Sequence, residues 1–211
     1  SAVVVDNNEG ATINFAQDLT VTATGTGQGF IASNKGTVGV AAAGDTAVTT
    51  ATGTGIEMND ITIAAGGAAF DELNVNGAAN AATLTDVEGG LVTIGNGDTA
   101  GDGGTLITTD FAVEIDNANN VALTGLLIDN DANTGSGISI VNQGGTVSGT
   151  DVEIRTADGN GLVIGDAANP NGDDAITTFT DLEVTTVNGD AVVIEDNDGG
   201  NYSFQNLTAT T

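Results

Sequence analysis

Short apolar clusters recur along this chain at a nearly fixed interval, and that interval governs what it can become. Each cluster ends in an anchor, in order Val5, Ala32, Met58, Leu84, Ile115, Ile140, Ile164 and Ile194, with successive spacings of 27, 26, 26, 31, 25, 24 and 30 residues. Two residues after every anchor stands Asn or Asp: Asn7, Asn34, Asp60, Asp86, Asn117, Asn142, Asp166 and Asp196. A unit of this length buries too little surface to fold alone, so such repeats are stable only when stacked on their neighbours.

Two further clusters follow each anchor. One, after a short polar turn, includes Ile13-Asn14-Phe15, Val38-Gly39-Val40 and Val121-Ala122-Leu123, with Val147 in an equivalent place. The other reads acid, apolar, any residue, apolar. It occurs as Asp18-Leu19-Thr20-Val21, Asp45-Thr46-Ala47-Val48, Glu72-Leu73-Asn74-Val75, Asp151-Val152-Glu153-Ile154 and Asp181-Leu182-Glu183-Val184. Asn206-Leu207-Thr208-Ala209 continues the series with an amide, and Gly125-Leu126-Leu127-Ile128 fills the slot with no acid. Alternation of this kind marks half-buried strands. Three strands per repeat, separated by Gly, Asn and Asp bends, pair with the equivalent strand one repeat away. The expectation is an all-β, single-domain parallel β-helix over residues 1–211, with about eight rungs of three short strands. At about 4.8 Å per rung the rod is roughly 35 to 40 Å long. Residues 18–21 should pair with 45–48, the acids Asp18, Asp45 and Glu72 should stack, and the Gly-rich stretch 89–109 should form an expanded corner.

Composition removes the alternatives. Hydrophobic residues make up 39% of the chain, which argues against disorder, and 21 of its 29 acids are Asp, a turn former, which argues against helices. Only Lys35 and Arg155 oppose those acids, leaving a net charge of −27. With no basic patch the chain should bind neither nucleic acid nor anionic lipid, and no apolar run approaches the length needed for direct membrane insertion. It has no His and no Cys, which excludes imidazole and thiol chemistry.

The succession Phe111-Ala112-Val113-Glu114-Ile115, Val121-Ala122-Leu123-Thr124, Gly137-Ile138-Ser139-Ile140 and Gly161-Leu162-Val163-Ile164 resembles the right-handed parallel β-helix repeats of the pectate-lyase-like superfamily. Autotransporter passengers and large bacterial surface proteins share that architecture, so the resemblance implies right-handedness and a secreted, extracellular or cell-surface setting. It also implies a competing function, because the best-known enzymes of the fold cleave acidic polysaccharides. Those lyases need a basic residue near calcium-holding acids, and the hydrolases use clustered Asp with His and an Arg-Lys pair. This chain has no Arg-x-Lys, and Lys35 and Arg155 fall about four rungs apart, roughly 19 Å along the axis. Arg155 reads as a surface ion pair with Glu153, Lys35 as a turn residue, and Asp173-Asp174 as the end of a loop rather than a glycosidase pair. No catalytic residue is assigned.

The Asn and Asp columns have two readings. In one, the side chains hydrogen-bond turn amides, and Asn dilutes the repulsion between stacked acids. In the other they hold calcium, a hard cation that takes oxygen ligands from Asp and Asn loops. The candidate ligands are Asp129, Asp131 and Asn133 in one loop, Asn169, Asn171 and Asp173 in a second, and Asp196 and Asp198 in a third. The first lacks the glycine and the closing glutamate of an EF-hand, and the segment Gly101-Asp102-Gly103-Gly104 is only faintly like a calcium nonapeptide. Alternating threonines (Thr20, Thr22, Thr24 and Thr26, then Thr50, Thr52 and Thr54) fit exposed strand faces better than a water-ordering array.

The expected function is therefore a non-catalytic extracellular or cell-surface fibre, adhesin shaft or spacer, with a carbohydrate-active or carbohydrate-binding module as the alternative. The sequence opens inside one strand, at Ser1-Ala2-Val3-Val4-Val5, and closes at another, at Asn206-Leu207-Thr208-Ala209. Uncapped apolar rungs there predict stacking of the chain on copies of itself or continuation into flanking domains.

Overall fold

The computed structural model describes residues 1–42, 45–165, 176–195 and 199–211. They contain no helix; their strands form one sheet in which every pairing is parallel and joins strands one repeat apart. Face a carries Val3–Asp6, Phe30–Ser33, 56–59, 82–85, 113–116, Ser136–Val141, Leu162–Ile164 and Val192–Ile194. Face b carries Thr12–Phe15, Thr37–Val40, 61–70, Val92–Ile94, Val121–Thr124, 146–150, 176–180 and Asn201–Gln205. Face c carries Leu19–Ala23, Thr46–Thr50, Glu72–Ala78, Thr105–Thr108, Leu127–Asn130, 152–156, 182–186 and Thr208–Thr210. Each face is thus a stack of eight strands with seven steps between them, and the coil makes about seven turns.

The ladder on face a runs without a register shift from Val3 through Phe30, Ile56, Ala82, Val113, Ile138 and Leu162 to Val192. Strand alternation then turns the anchors inward, and Val5, Ala32, Met58, Leu84, Ile115, Ile140 and Ile164 are all buried. Ile194 departs from the expectation, with 46% of its surface exposed, because the last described rung has no strand above it. Three rings fix the first rungs: Phe30 meets Phe15 and Phe70 edge-on, at centroid distances of 5.5 and 5.2 Å.

The corner between faces a and b explains the first polar column. Asn7, Asn34, Asp60, Asp86, Asn117 and Asn142 all have φ between 51° and 56°, the left-handed region that Asn and Asp tolerate best among residues with a side chain. At Asp60 and Asp86 one such residue swings the chain onto the next face with no loop, so 56–70 and 82–89 read as single strands across the bend, whereas Asn7, Asn34 and Asn142 each open a short loop. Asp166 and Asp196 lie outside the described residues.

The corner between faces b and c is less uniform than its sequence signature. In the later rungs Gly125, Asp151, Asp181 and Asn206 are again left-handed, at φ of 53° to 62°. Asp18, Asp45 and Glu72 are not, because the first two rungs use several residues to turn, between Phe15 and Leu19 and between Val40 and Thr46. Residues 18–21 lie on 45–48 as expected, Leu19 pairing with Thr46 and Val21 with Val48. The expected stack of three carboxylates does not form, since Glu72 pairs with Ala47 and so falls two positions from Asp45. The third rung turns on Asp71 alone, and shortening the corner moves the acids along the strand.

The expanded corner occupies residues 95–104, between Val92–Ile94 and Thr105–Thr108. It folds upward onto the next rung, where Gly101 and Gly103 both donate backbone hydrogen bonds to the Gly125 carbonyl, at 2.9 and 2.8 Å. This contact accounts for the missing acid at 125. A side chain there would press on the Gly97 backbone at 2.9 to 3.1 Å.

Candidate functional site

Chemistry on this rod would have to come from its carboxylates, and most of those with bonds are committed to the coil. The Asn34 amide donates to Asp6 Oδ1 at 2.7 Å, Asn117 to Asp86 at 2.7 Å, Asn142 to Asp116 at 2.8 Å, Asn188 to Asp158 at 2.8 Å and Asn206 to Asp181 at 2.7 Å. Every donor comes from the rung after its acceptor. An amide facing a carboxylate replaces a repulsive pair with a charge-assisted hydrogen bond, which is the turn-and-dilution reading of the columns. Backbone donors act alike, with the Asp45 N–H on Asp18 Oδ1 at 3.2 Å and the Thr46 N–H on Asp71 Oδ2 at 2.8 Å. The bonds from Asn34 and Ser33 hold the Asp6 carboxyl below its usual range.

Among the described residues, three shallow acidic hollows can be traced. Lys35, Asp60, Asp86 and Glu88 border one beside the first corner. Asp45, Asp71, Glu72 and Asp102 border another, under the expanded corner, where Asn96 donates to Asp71 Oδ1 at 3.1 Å. Asp98 from that corner, with Asp151, Glu153, Asp181 and Glu183, borders the third. Glu153 and Glu183 are direct register partners there, about 4.8 Å apart by sheet geometry. Among the described residues no group of three or more acids is arranged to hold a metal ion.

Both cations are tied to their surroundings. The Arg155 guanidinium grips Glu153, with Nε donating to Oε1 at 2.6 Å, and that hydrogen bond raises the arginine further above its usual range. Lys35 Nζ lies 4.0 Å from Glu9 Oε1, with both side chains largely in solvent, a pair worth little. The surface pairing expected for Arg155 is what the structure shows.

The first candidate calcium loop is divided by the strand it leaves. Asp129 points outward as the register partner of Arg155, whose charge both Asp129 and Asp131 feel, while Asp131 stands exposed in the turn with Asn133 beyond it. The residue between the two acids has the structural role. Asn130 is fully buried, accepts from the Thr108 N–H at 2.7 Å, and donates to Thr108 Oγ1 and the Ser136 carbonyl, each at 3.0 Å. It belongs to an inward polar column at the end of face c. There Thr156 and Thr186 donate to the Gly159 and Gly189 carbonyls, at 2.6 and 2.7 Å, and clip the corner leading back to face a. Only the skipped position of Asn130 in an outward, inward, outward alternation marked it in the sequence. The other candidates, Asn169, Asn171, Asp173, Asp196 and Asp198, and the pair Asp173-Asp174, lie outside the described residues.

The threonine alternation divides likewise. Thr20 and Thr22 face solvent on face c, but Thr50 points into the core, and Thr52 Oγ1 donates to the Gly25 carbonyl at 2.9 Å in a corner. They form no continuous exposed array.

The carboxylates not met by a donor repel. Two unit charges 4.8 Å apart cost about 0.9 kcal/mol in water and about 3.5 kcal/mol at an effective dielectric of 20. Screening is therefore expected to stabilise the rod: raising sodium chloride from about 20 mM to about 500 mM should lift the melting temperature by roughly 5 °C. Calcium chloride at matched ionic strength should do no more. A larger calcium shift would reveal a bound ion, and Asp129→Ala with Asp131→Ala would then report whether that loop holds it. The pH dependence has two limbs. Burial, with Asp110 and Asp116 nearby, raises Glu114, so its charged form weakens the fold, and stability should increase as pH falls from 7 through its titration. Asp6, which is lowered, contributes stability that is lost as pH falls through its own, lower range.

No family model matches this chain, and neither the characterised proteins nor the solved structures compared with it give a match.

Proposed function

We propose that this chain is a non-catalytic structural β-helix, a segment of an extracellular or cell-surface fibre, shaft or spacer. One observation carries the reading: among the described residues the corner Asn and Asp and the Arg155–Glu153 pair are spent on building the coil. Asn and Asp at the a–b corners set the bend and bond rung to rung, and Arg155 closes on Glu153. A stiff rod with one repeated cross-section transmits position and force along its axis, which is what a shaft needs. Dense negative charge keeps such a rod soluble and repels anionic neighbours. The resemblance to right-handed pectate-lyase-like repeats supports the secreted setting, and the reading takes no activity from that superfamily, since fold does not imply activity.

The reading is tested by incubating the protein with pectin, alginate and other uronic-acid polymers in the presence of calcium. No unsaturated products and no new reducing ends are expected. Turnover that is abolished by Asp173→Ala would establish the carbohydrate-active alternative instead.

A further inference from the structure

Charge is not spread evenly around this rod. Among the described residues, face a carries Asp6, Glu57, Glu114 and Asp116 in its strands, and face c carries Glu72, Asp129, Glu153, Arg155 and Glu183. The eight strands of face b contain no Asp, Glu, Lys or Arg. Acids stand at its margins, with Asp86 and Glu88 beside one corner and Asp151 and Asp181 in the other. The outward columns between them are small and even: Thr93, Ala122, Ser148 and Thr178 follow one another in register, and Thr124, Thr150 and Thr180 run beside them. Leu91 and Ile176, 47% and 51% exposed, lie along the same flank, and Ala41, Ala64, Gly39 and Gly66 border a shallow apolar hollow in its early rungs.

We propose that face b is a lateral interface through which two copies of this chain pack, sheet on sheet. The core of a protein interface differs from ordinary surface chiefly in lacking charge, with the charged groups at its rim, and face b has that layout. The occupant follows from charge and area. Two bodies of charge −27 meet at the lowest electrostatic cost through the face where neither shows any. Small outward side chains let a second sheet approach to the usual spacing of about 10 Å. Seven steps of about 4.8 Å and strands of about five residues make a face roughly 34 Å by 16 Å, so a pair buries roughly 1,100 Å², just above the ~1,000 Å² that a specific interface needs. The rings on these strands, Phe15, Phe70, Phe179, Tyr202 and Phe204, all pack on the core, which leaves aliphatic and hydroxyl groups outward and none of these rings to stack on a sugar. The same patch serves both copies, so the contact is isologous and closes at a dimer. The area is modest and the rim acids of the two copies repel, so the association is weak and salt strengthens it.

The pairing goes beyond the shaft reading and is tested apart from it, by mass and not by polysaccharide turnover. Sedimentation velocity on the whole chain at about 0.5 M sodium chloride should show the mean mass climbing, over roughly a hundredfold rise in concentration, to twice that of a single chain and stopping there. Ala122→Glu sets a carboxylate near the middle of the face on both copies and should leave the protein monomeric, with the circular dichroism of the parent confirming the fold. Thr22→Glu adds the same charge on face c and should dimerise as the parent does. A parent that is monomeric at every concentration overturns the inference, as does equal association of the two variants or growth past the dimer. Retention of a monomeric parent on insoluble uncharged glucan, lost in Ala122→Glu, would assign the face to sugar instead.

Discussion

Replacing Asn130 with leucine is expected to destabilise the protein by about 3 to 5 kcal/mol, although the two side chains are similar in size. Asn130 accepts from the Thr108 N–H and donates to Thr108 Oγ1 and the Ser136 carbonyl from a position with no solvent access. Leucine orphans a buried backbone donor and a buried carbonyl, and each such group costs about 1 to 3 kcal/mol. Chemical denaturation should show the loss as a lower midpoint. Alanine at the flanking Asp129 and Asp131 should change stability by less than about 0.5 kcal/mol, as is usual for exposed sites. The contrast separates the residue that clips the corner from the two acids that the sequence pattern makes conspicuous.

The second large effect is expected at Asn117. Its φ of 51° is strained for a β-branched residue, and its amide bonds Asp86 in the rung before. Asn117→Val should therefore cost about 2 to 4 kcal/mol, combining backbone strain of 1 to 3 kcal/mol with the loss of a charge-assisted bond. Asn117→Gly removes the same bond but accepts the left-handed conformation freely, so it should cost about 1 kcal/mol or less. Equal losses from the two variants would show that hydrogen bonding, and not backbone geometry, governs the column.

Most of the architecture was legible in the sequence, for a physical reason. Solenoid rungs repeat both their inward residues and their bends, so the anchors and the residue two positions on report the same period twice. The spacing of Asp18 and Asp45 gave the correct pairing because their two corners both use several residues, whereas Glu72 slipped because the third corner uses one. Alternation identifies faces but carries no information about corner length. It could not tell the turn acids of the early rungs from the left-handed Asp151 and Asp181, nor foresee that the expanded corner lies across Gly125. The inward direction of Thr50 was hidden likewise, because a polar residue in a strand reads as outward unless its partner is known. The acids drew attention through their number. The corner geometry that most of the polar columns serve depends on backbone φ, which composition does not display.

The account rests on a stiff coil of parallel rungs that the described residues build between Val3 and Thr210. The chain has no cysteine, so two can be introduced for spin labels without removing others. Thr12 and Asn201 lie on face b of the first and last rungs, seven steps apart. Electron–electron distance measurement on the doubly labelled Thr12→Cys, Asn201→Cys protein should give a single narrow distribution near 34 Å, seven steps of about 4.8 Å, widened only by the label linkers. A broad distribution, or a mean far from that length, would contradict the rod and the shaft function built on it.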